Sequence, residues 1–220
     1  MDARPQIRLD VVVDTVCPWC WIGKRRLERA LASRPEIDFQ IGYRPYELNP
    51  DLPAEGVDRK AYYAARFGSG DRARQLAQNV VDAGREVGIA FDFENMPVLP
   101  NSRASHRLIR WSAAAGVQAE VVEALFARYF VDGANIGDPM VLIDVAAAAG
   151  MDPVLVGELL MGDTDVDKIV EEEMVAQRLG VQGVPFTIID RQYGIVGAQD
   201  PDAYLRVFDK IAEGEAPTPA

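Results

Sequence analysis

The chain has 220 residues, a formal charge of −11, 49% hydrophobic and 26% charged residues, two cysteines and one histidine. These proportions fit a globular protein rather than a disordered or fibrous one, and a chain of this length can bury about 70% of its unfolded surface without staples. The negative charge repels phosphate backbones and no basic cluster exceeds Lys24-Arg25-Arg26, so nucleic acid is not an expected partner, and two cysteines with one histidine cannot furnish a conventional zinc site unless carboxylates join them.

Ile7 to Val13 is rich in β-branched residues and fits a buried strand. Asp10 and Asp14 break the only run that could serve as a secretory signal, and no window approaches the ~20 apolar residues of a membrane span. The expectation is a soluble cytoplasmic protein with no membrane partner, in a compartment that keeps most thiols reduced. After Cys17-Pro18-Trp19-Cys20, the residues Trp21, Ile22, Leu27, Ala30 and Leu31 recur at helical spacing, with Lys24, Arg25, Glu28 and Arg29 expected to face outward. Pro35 closes that helix, and Ile37, Phe39, Ile41 and Tyr43 alternate as a second strand.

The middle of the chain is strand-poor. Helical patterns run from Arg59 to Phe67, Asp71 to Val87, Ser102 to Ala115, Gln118 to Val131, Asp138 to Ala149, Asp152 to Met161 and Asp165 to Leu179. Asp138-Pro139 and Asp152-Pro153 place an N-cap acid before a proline at the first helical position. Strands return as a hairpin, Phe186 to Ile189 and Tyr193 to Val196, and Asp200-Pro201 caps a last helix to about Ala212. The order is that of an α/β sheet domain interrupted in its middle. The expected division is a discontinuous sheet domain (1–60 and 178–213), an inserted helical domain (61–177) and a flexible tail (214–220).

Cys17 and Cys20 sit where a strand gives way to a helix. A thiol at a helix N-terminus meets unpaired backbone N–H groups and the positive end of the macrodipole, both of which favour thiolate. Cys17 is therefore the candidate nucleophile, and Cys20, one turn on, can attack the mixed disulfide that Cys17 forms with a substrate. A structural bridge enclosing so few residues would remove only about 2 kcal/mol of loop entropy. As a metal site the pair lacks a second pair of ligands, and His106 lies far away in sequence; no metal is expected. Gly183-Val184-Pro185-Phe186-Thr187 precedes the returning strand, where an X-Pro bond in a tight turn can be cis. Main-chain groups of Val184 could pair with an extended substrate as an added strand. Pro18, Trp19, Val184 and Pro185 are the expected substrate-binding residues.

Asp14-Thr15-Val16-Cys17-Pro18-Trp19-Cys20-Trp21-Ile22-Gly23-Lys24, then Tyr46-Glu47-Leu48-Asn49-Pro50, Asn101 to Leu108, Gly180 to Phe186 and Gly197-Ala198-Gln199, together resemble the DsbA-like thioredoxin family, and within it the FrnE-type dithiol-disulfide oxidoreductases. The resemblance spans nearly the whole chain. It implies a thioredoxin fold with a large α-helical insertion, Cys17 attacking, Cys20 resolving and Pro185 in cis. It implies no bound cofactor, with glutathione or another external thiol as redox partner and a disulfide-containing protein or small molecule as substrate. Related 2-hydroxychromene-2-carboxylate isomerases and kappa-class glutathione transferases carry a serine in the place of Cys17, so a glutathione-dependent isomerase or transferase is the alternative. A peptide-binding, non-catalytic role ranks third. Trp19 stands where exported DsbA proteins have a histidine between the cysteines, which points to a less oxidising couple.

Among weaker signals, His106 is expected to be structural or at the surface, with lining of the cleft as the lesser reading. Asp14 is expected to cap the turn before the cysteines, with proton relay from Cys20 as the lesser reading. Trp19, Tyr43 and Tyr46 could form an apolar rim, with Trp21 in the core, and Glu171-Glu172-Glu173 is expected to be a solvated helix face. The oligomeric state is left open.

Overall fold

A computed structural model describes residues 4–68 and 70–214, so the end of the expected tail, 215–220, lies outside the described residues. β1 (Gln6–Val13) leads through α1 (Pro18–Ala32) to β2 (Asp38–Pro45), and the two strands pair in parallel from Gln6↔Asp38 to Val13↔Pro45. β3 (Val57–Asp58) is followed by α2 (Arg59–Phe67) and α3 (Asp71–Glu86). After a single 3-10 turn at Phe93–Asn95, β4 (Val98–Leu99) returns antiparallel to β3. Then come α4 (Arg103–Ala114), α5 (Gln118–Phe130), α6 (Pro139–Ala148), α7 (Pro153–Met161) and α8 (Val166–Arg178). The hairpin of β5 (Phe186–Ile189) and β6 (Tyr193–Val196) and the helix α9 (Pro201–Ala212) complete the described chain.

The two sequence blocks meet in one sheet of order β2-β1-β5-β6, with β5 antiparallel to both neighbours. β1 lies inside the sheet, and five of its eight residues, among them the β-branched run Val11 to Val13, are buried. Its odd-numbered residues, Ile7, Leu9, Val11 and Val13, join the same core as Ile22 and Leu27 of α1 and Tyr204 and Phe208 of α9. Val12, pointing the other way, packs with Ala176 of α8 and Val181. β2 is the sheet edge, which leaves Ile41 39% exposed instead of buried.

The helices follow their apolar stripes. On α4 the buried residues Ser105, Leu108, Ile109 and Ser112 recur at three- and four-residue steps. On α5 a broader face buries Val121, Val122, Leu125, Phe126, Tyr129 and Phe130. Trp21 of α1 joins the two blocks: it stacks on Phe126 and Phe130 at 6.0 and 6.1 Å and meets Phe91 edge-on at 5.7 Å. Asp138 and Asp152 cap α6 and α7 through the amides of Met140 and Val154, as their proline-flanked positions anticipate.

Four expectations change. Lys24 is buried at 3% exposure because Glu28 and Glu123 both meet its ammonium, the second at 2.7 Å, and paired charges tolerate burial that lone ones do not. Asp200 starts α9 without a side-chain cap and pairs with Arg26 at 3.2 Å. Of the acidic run on α8, Glu171 is exposed but Glu172 is engaged by Arg110, and Glu173 accepts the Glu47 amide. Strands β3 and β4 are two residues each, too short to show a period in sequence.

Candidate active site

β1 ends at Val13, and a turn built on Asp14 delivers the chain into α1. The Asp14 carbonyl accepts the Cys17 amide at 3.0 Å, one carboxylate oxygen accepts the Val16 amide at 3.3 Å and the other the Leu48 amide at 2.7 Å. Asp14 thus caps the turn, as the sequence suggests. Its own amide donates to Cys20 Sγ at 3.5 Å, so one residue holds both ends of the cysteine segment. Cys17 is the extended residue (φ −96°, ψ 112°) that precedes the first helical position, and Pro18 occupies that position without wasting an amide.

Both cysteines are free thiols. Cys17 is 6% exposed and Cys20 wholly buried, so Cys17 is the more accessible thiol. Burial raises the pKa of Cys20 well above its ordinary value, and the adjacent Cys17 thiol adds to the rise; the Asp14 amide opposes it and the Asp14 carboxylate augments it.

Opposite the thiols stands the Val184-Pro185 loop, with its peptide bond cis. The Cys17 thiol donates to the Val184 carbonyl at 3.8 Å. The Gly197 amide donates to the Pro185 carbonyl at 2.8 Å, and Arg26 of α1 donates to the Ala198 carbonyl at 2.7 Å, so α1, the β6 end and the proline loop form one packed unit. Gly23 makes that packing possible: a Cβ there would lie 3.0 Å from Pro185 Cγ and 3.5 Å from Ala198. Of the four residues expected to meet substrate, Trp19 is 37% exposed, Pro18 and Val184 are half-buried and Pro185 is buried. Tyr43 belongs to the core and not to the rim, and Trp21 is 3% exposed with its indole N–H on Glu123 at 2.9 Å.

Beneath the cysteine loop lies a buried cluster that sequence spacing does not reveal. His106 of α4, 1% exposed, places Nε2 3.5 Å from the Asp14 carboxylate. Arg103, one turn earlier, holds the fully buried Glu47 carboxylate with two bonds of 2.8 and 3.0 Å. Burial, then the neighbouring Glu47, raises the pKa of Glu173. Burial chiefly raises the pKa of Tyr63 on α2, with the Arg59 guanidinium opposing and Cys17 adding a smaller rise. Tyr63 sits in a helix with no buried residue, so no core stripe marks it in sequence.

No group of three or more His, Cys, Asp or Glu side chains able to hold a metal ion occurs among the described residues. A cavity of about 570 Å³ lies on the other face of the sheet, bordered by Arg8, Val12, Arg44, Leu179 and Phe186. It contains neither cysteine. No helix among the described residues is long and apolar enough to cross a membrane.

The DSBA-like thioredoxin domain family matches residues 8–209. A probable DsbA oxidoreductase from Streptomyces coelicolor superposes with a TM-score of 0.86 at 27% identity, over 97% of this chain and 92% of that one. The cytosolic disulfide reductase DsbM of Pseudomonas aeruginosa, solved with GSH, reaches a TM-score of 0.61 at 16% identity over 94% and 96% of the two chains. A 2-hydroxychromene-2-carboxylate isomerase reaches 0.66 at 16% over 94% and 96%. At such identities the last two share the fold alone. The chain belongs to the DSBA-like thioredoxin family, and the thioredoxin fold expected from its sequence is the one it adopts.

Proposed function

We propose that this member of a disulfide oxidoreductase family is a cytoplasmic thiol-disulfide oxidoreductase or isomerase of the FrnE type, with Cys17 attacking and Cys20 resolving. The observation that carries the reading is the pair of free thiols at the start of α1, the outer one facing the Val184 carbonyl across the proline loop. The Cys17 thiolate attacks a substrate disulfide R–S–S–R′, forming Cys17–S–S–R and expelling R′–S⁻. Cys20 then attacks the Cys17 sulfur, closing the Cys17–Cys20 bridge and expelling R–S⁻, so two electrons pass from dithiol to substrate. Two molecules of an external thiol such as glutathione return the bridge to the dithiol and leave as their own disulfide, since the chain has no third cysteine. An extended substrate lies along Val184, its contacts completed by Pro18, Trp19 and Pro185. Residues 61–177 are read as a helical insert in a thioredoxin-like unit of 1–60 and 178–213.

Insulin reduction by the wild type, Cys17→Ser and Cys20→Ser tests this. Turnover by the wild type and its loss in both variants is the expected result. Full insulin reduction by Cys20→Ser, dependent on glutathione, would remove the resolving role from Cys20, whereas the isomerase or transferase alternative predicts no insulin reduction and a glutathione-dependent activity that survives Cys20→Ser. No turnover by the wild type with any thiol donor would end the redox reading.

A further inference from the structure

His106 is the chain's single histidine, and the steps above make no use of it. It is buried on α4, and neither ring nitrogen has a hydrogen-bond partner. A buried imidazole left so is uncompensated unless charge holds it. The charges facing it come from three elements: Asp14 before α1 at 3.5 Å, Glu47 after β2, and Glu173 of α8. Glu47 is already paired with Arg103, and Arg107, the next residue on α4, spends its guanidinium on the carbonyls of Leu159, Gly162 and Thr164. Burial works against an imidazolium here, but Asp14, with Glu47 and Glu173, outweighs it, and the pKa is raised.

Asp14 connects this ring to the dithiol. Its amide meets Cys20 Sγ at 3.5 Å, and its carboxylate acts on Cys20 as a like charge acts on a forming thiolate. The Asp14 charge also adds to the raised pKa of the phenols of Tyr63 and Tyr129, and Arg59, 4.7 Å from the Tyr63 ring, opposes it. We propose that His106 is a positioning residue for the resolving step: as an imidazolium against the Asp14 carboxylate, it offsets the negative charge that Asp14 presents to Cys20 and so lets Cys20 ionise. In that step Cys20 gives its proton to solvent and its thiolate attacks the Cys17 sulfur. The bond from Cys17 to the R sulfur breaks, and its electron pair leaves on R–S⁻, which takes up a proton. The inference rests on the dithiol reading above.

The test uses the full chain and Ellman's reagent, an aromatic disulfide that any accessible thiol opens. The first thiolate is released at a rate proportional to reagent concentration, as Cys17 is modified; the second is released independently of concentration, as Cys20 resolves. His106→Gln is expected to slow the second phase about tenfold near neutral pH and to leave the first within about twofold, a tenfold loss being one unit of thiol pKa. On an Asp14→Asn background His106→Gln is expected to have no effect on the second phase. The wild type supplies a check that needs no variant. The imidazolium is present below the His106 midpoint and lost above it, so the logarithm of the second rate, otherwise rising by about one per pH unit, flattens across the midpoint read from the single imidazole by NMR. A profile rising straight through that midpoint overturns the proposal. Equal slowing of both phases by His106→Gln, or an effect that persists with Asp14→Asn, does the same. Absence of insulin turnover, by contrast, would overturn the dithiol reading while leaving both phases measurable.

Discussion

Arg103→Leu isolates the energetics of the charges stored under the cysteine loop. The Glu47 side chain is 0% exposed, and Arg103 binds both its oxygens at 2.8 and 3.0 Å. Removing the guanidinium leaves a carboxylate in a site that also holds Asp14 and Glu173. Breaking a buried pair by deleting one partner costs about 3–5 kcal/mol. Arg103 is itself 32% exposed, so water can enter its place, and the lower end, about 3 kcal/mol, is expected. For a chain of this size that lowers the melting temperature by about 6–12 °C. Thermal and urea unfolding followed by circular dichroism measure it, with an unchanged urea slope showing that the unfolded state is not the cause. Adding Glu47→Gln should recover more than half of the loss, since an uncharged amide no longer needs the guanidinium. A loss below about 1 kcal/mol, the value of an exposed ion pair, would refute the reasoning.

Gly23→Val sets side-chain atoms against Pro185, where a Cβ alone comes within 3.0 Å of Cγ; it should cost about 1–3 kcal/mol and slow modification of Cys17 by displacing the proline loop, with Gly23→Ala milder in both readouts. Glu173→Gln should stabilise the protein at neutral pH, because burial raises this carboxyl above its ordinary value of 4.5 and its ionisation opposes folding. That gain is present above the raised folded-state pKa and fades as pH falls through it toward the unfolded value, so unfolding curves of the two proteins should converge in acid. Equilibration with glutathione buffers should give a couple less oxidising than about −120 mV, because Trp19, unlike a histidine between the cysteines, can carry no positive charge to favour the thiolate; a value that oxidising would contradict this.

The sheet and the cysteine pair are legible in sequence because both are local. β1 declares itself by its β-branched run, α6 and α7 by Asp-Pro starts, and the cysteine pair by two thiols at a strand-to-helix junction. What is not legible depends on contacts between distant segments. Lys24 has the outward spacing of a solvated residue and is buried because Glu123, far along the chain, arrives on α5 to meet it. Glu173 belongs to a run that looks solvated until the Glu47 amide reaches it. His106 and Asp14 each carry a bland local meaning, a helical residue and a turn cap. Only the packing of α4 beneath the β1–α1 turn brings His106 to Asp14, whose amide meets Cys20. Tyr63 escapes notice for a different reason: its helix has no buried residue, so nothing in the periodicity marks it.

The division of labour between the two cysteines is tested most directly by trapping the mixed disulfide. Cys20→Ser and Cys17→Ser are each mixed with glutathione disulfide, and the adducts are located by mass spectrometry of the digested chain. Because Cys17 is the partly accessible thiol and Cys20 is wholly buried with a raised pKa, Cys20→Ser should accumulate one stable glutathione adduct on Cys17. Cys17→Ser should react far more slowly, and the wild type should pass through the adduct to the internal bridge. Equal reactivity of the two variants, or a wild type that keeps its adduct without closing the bridge, would contradict the account.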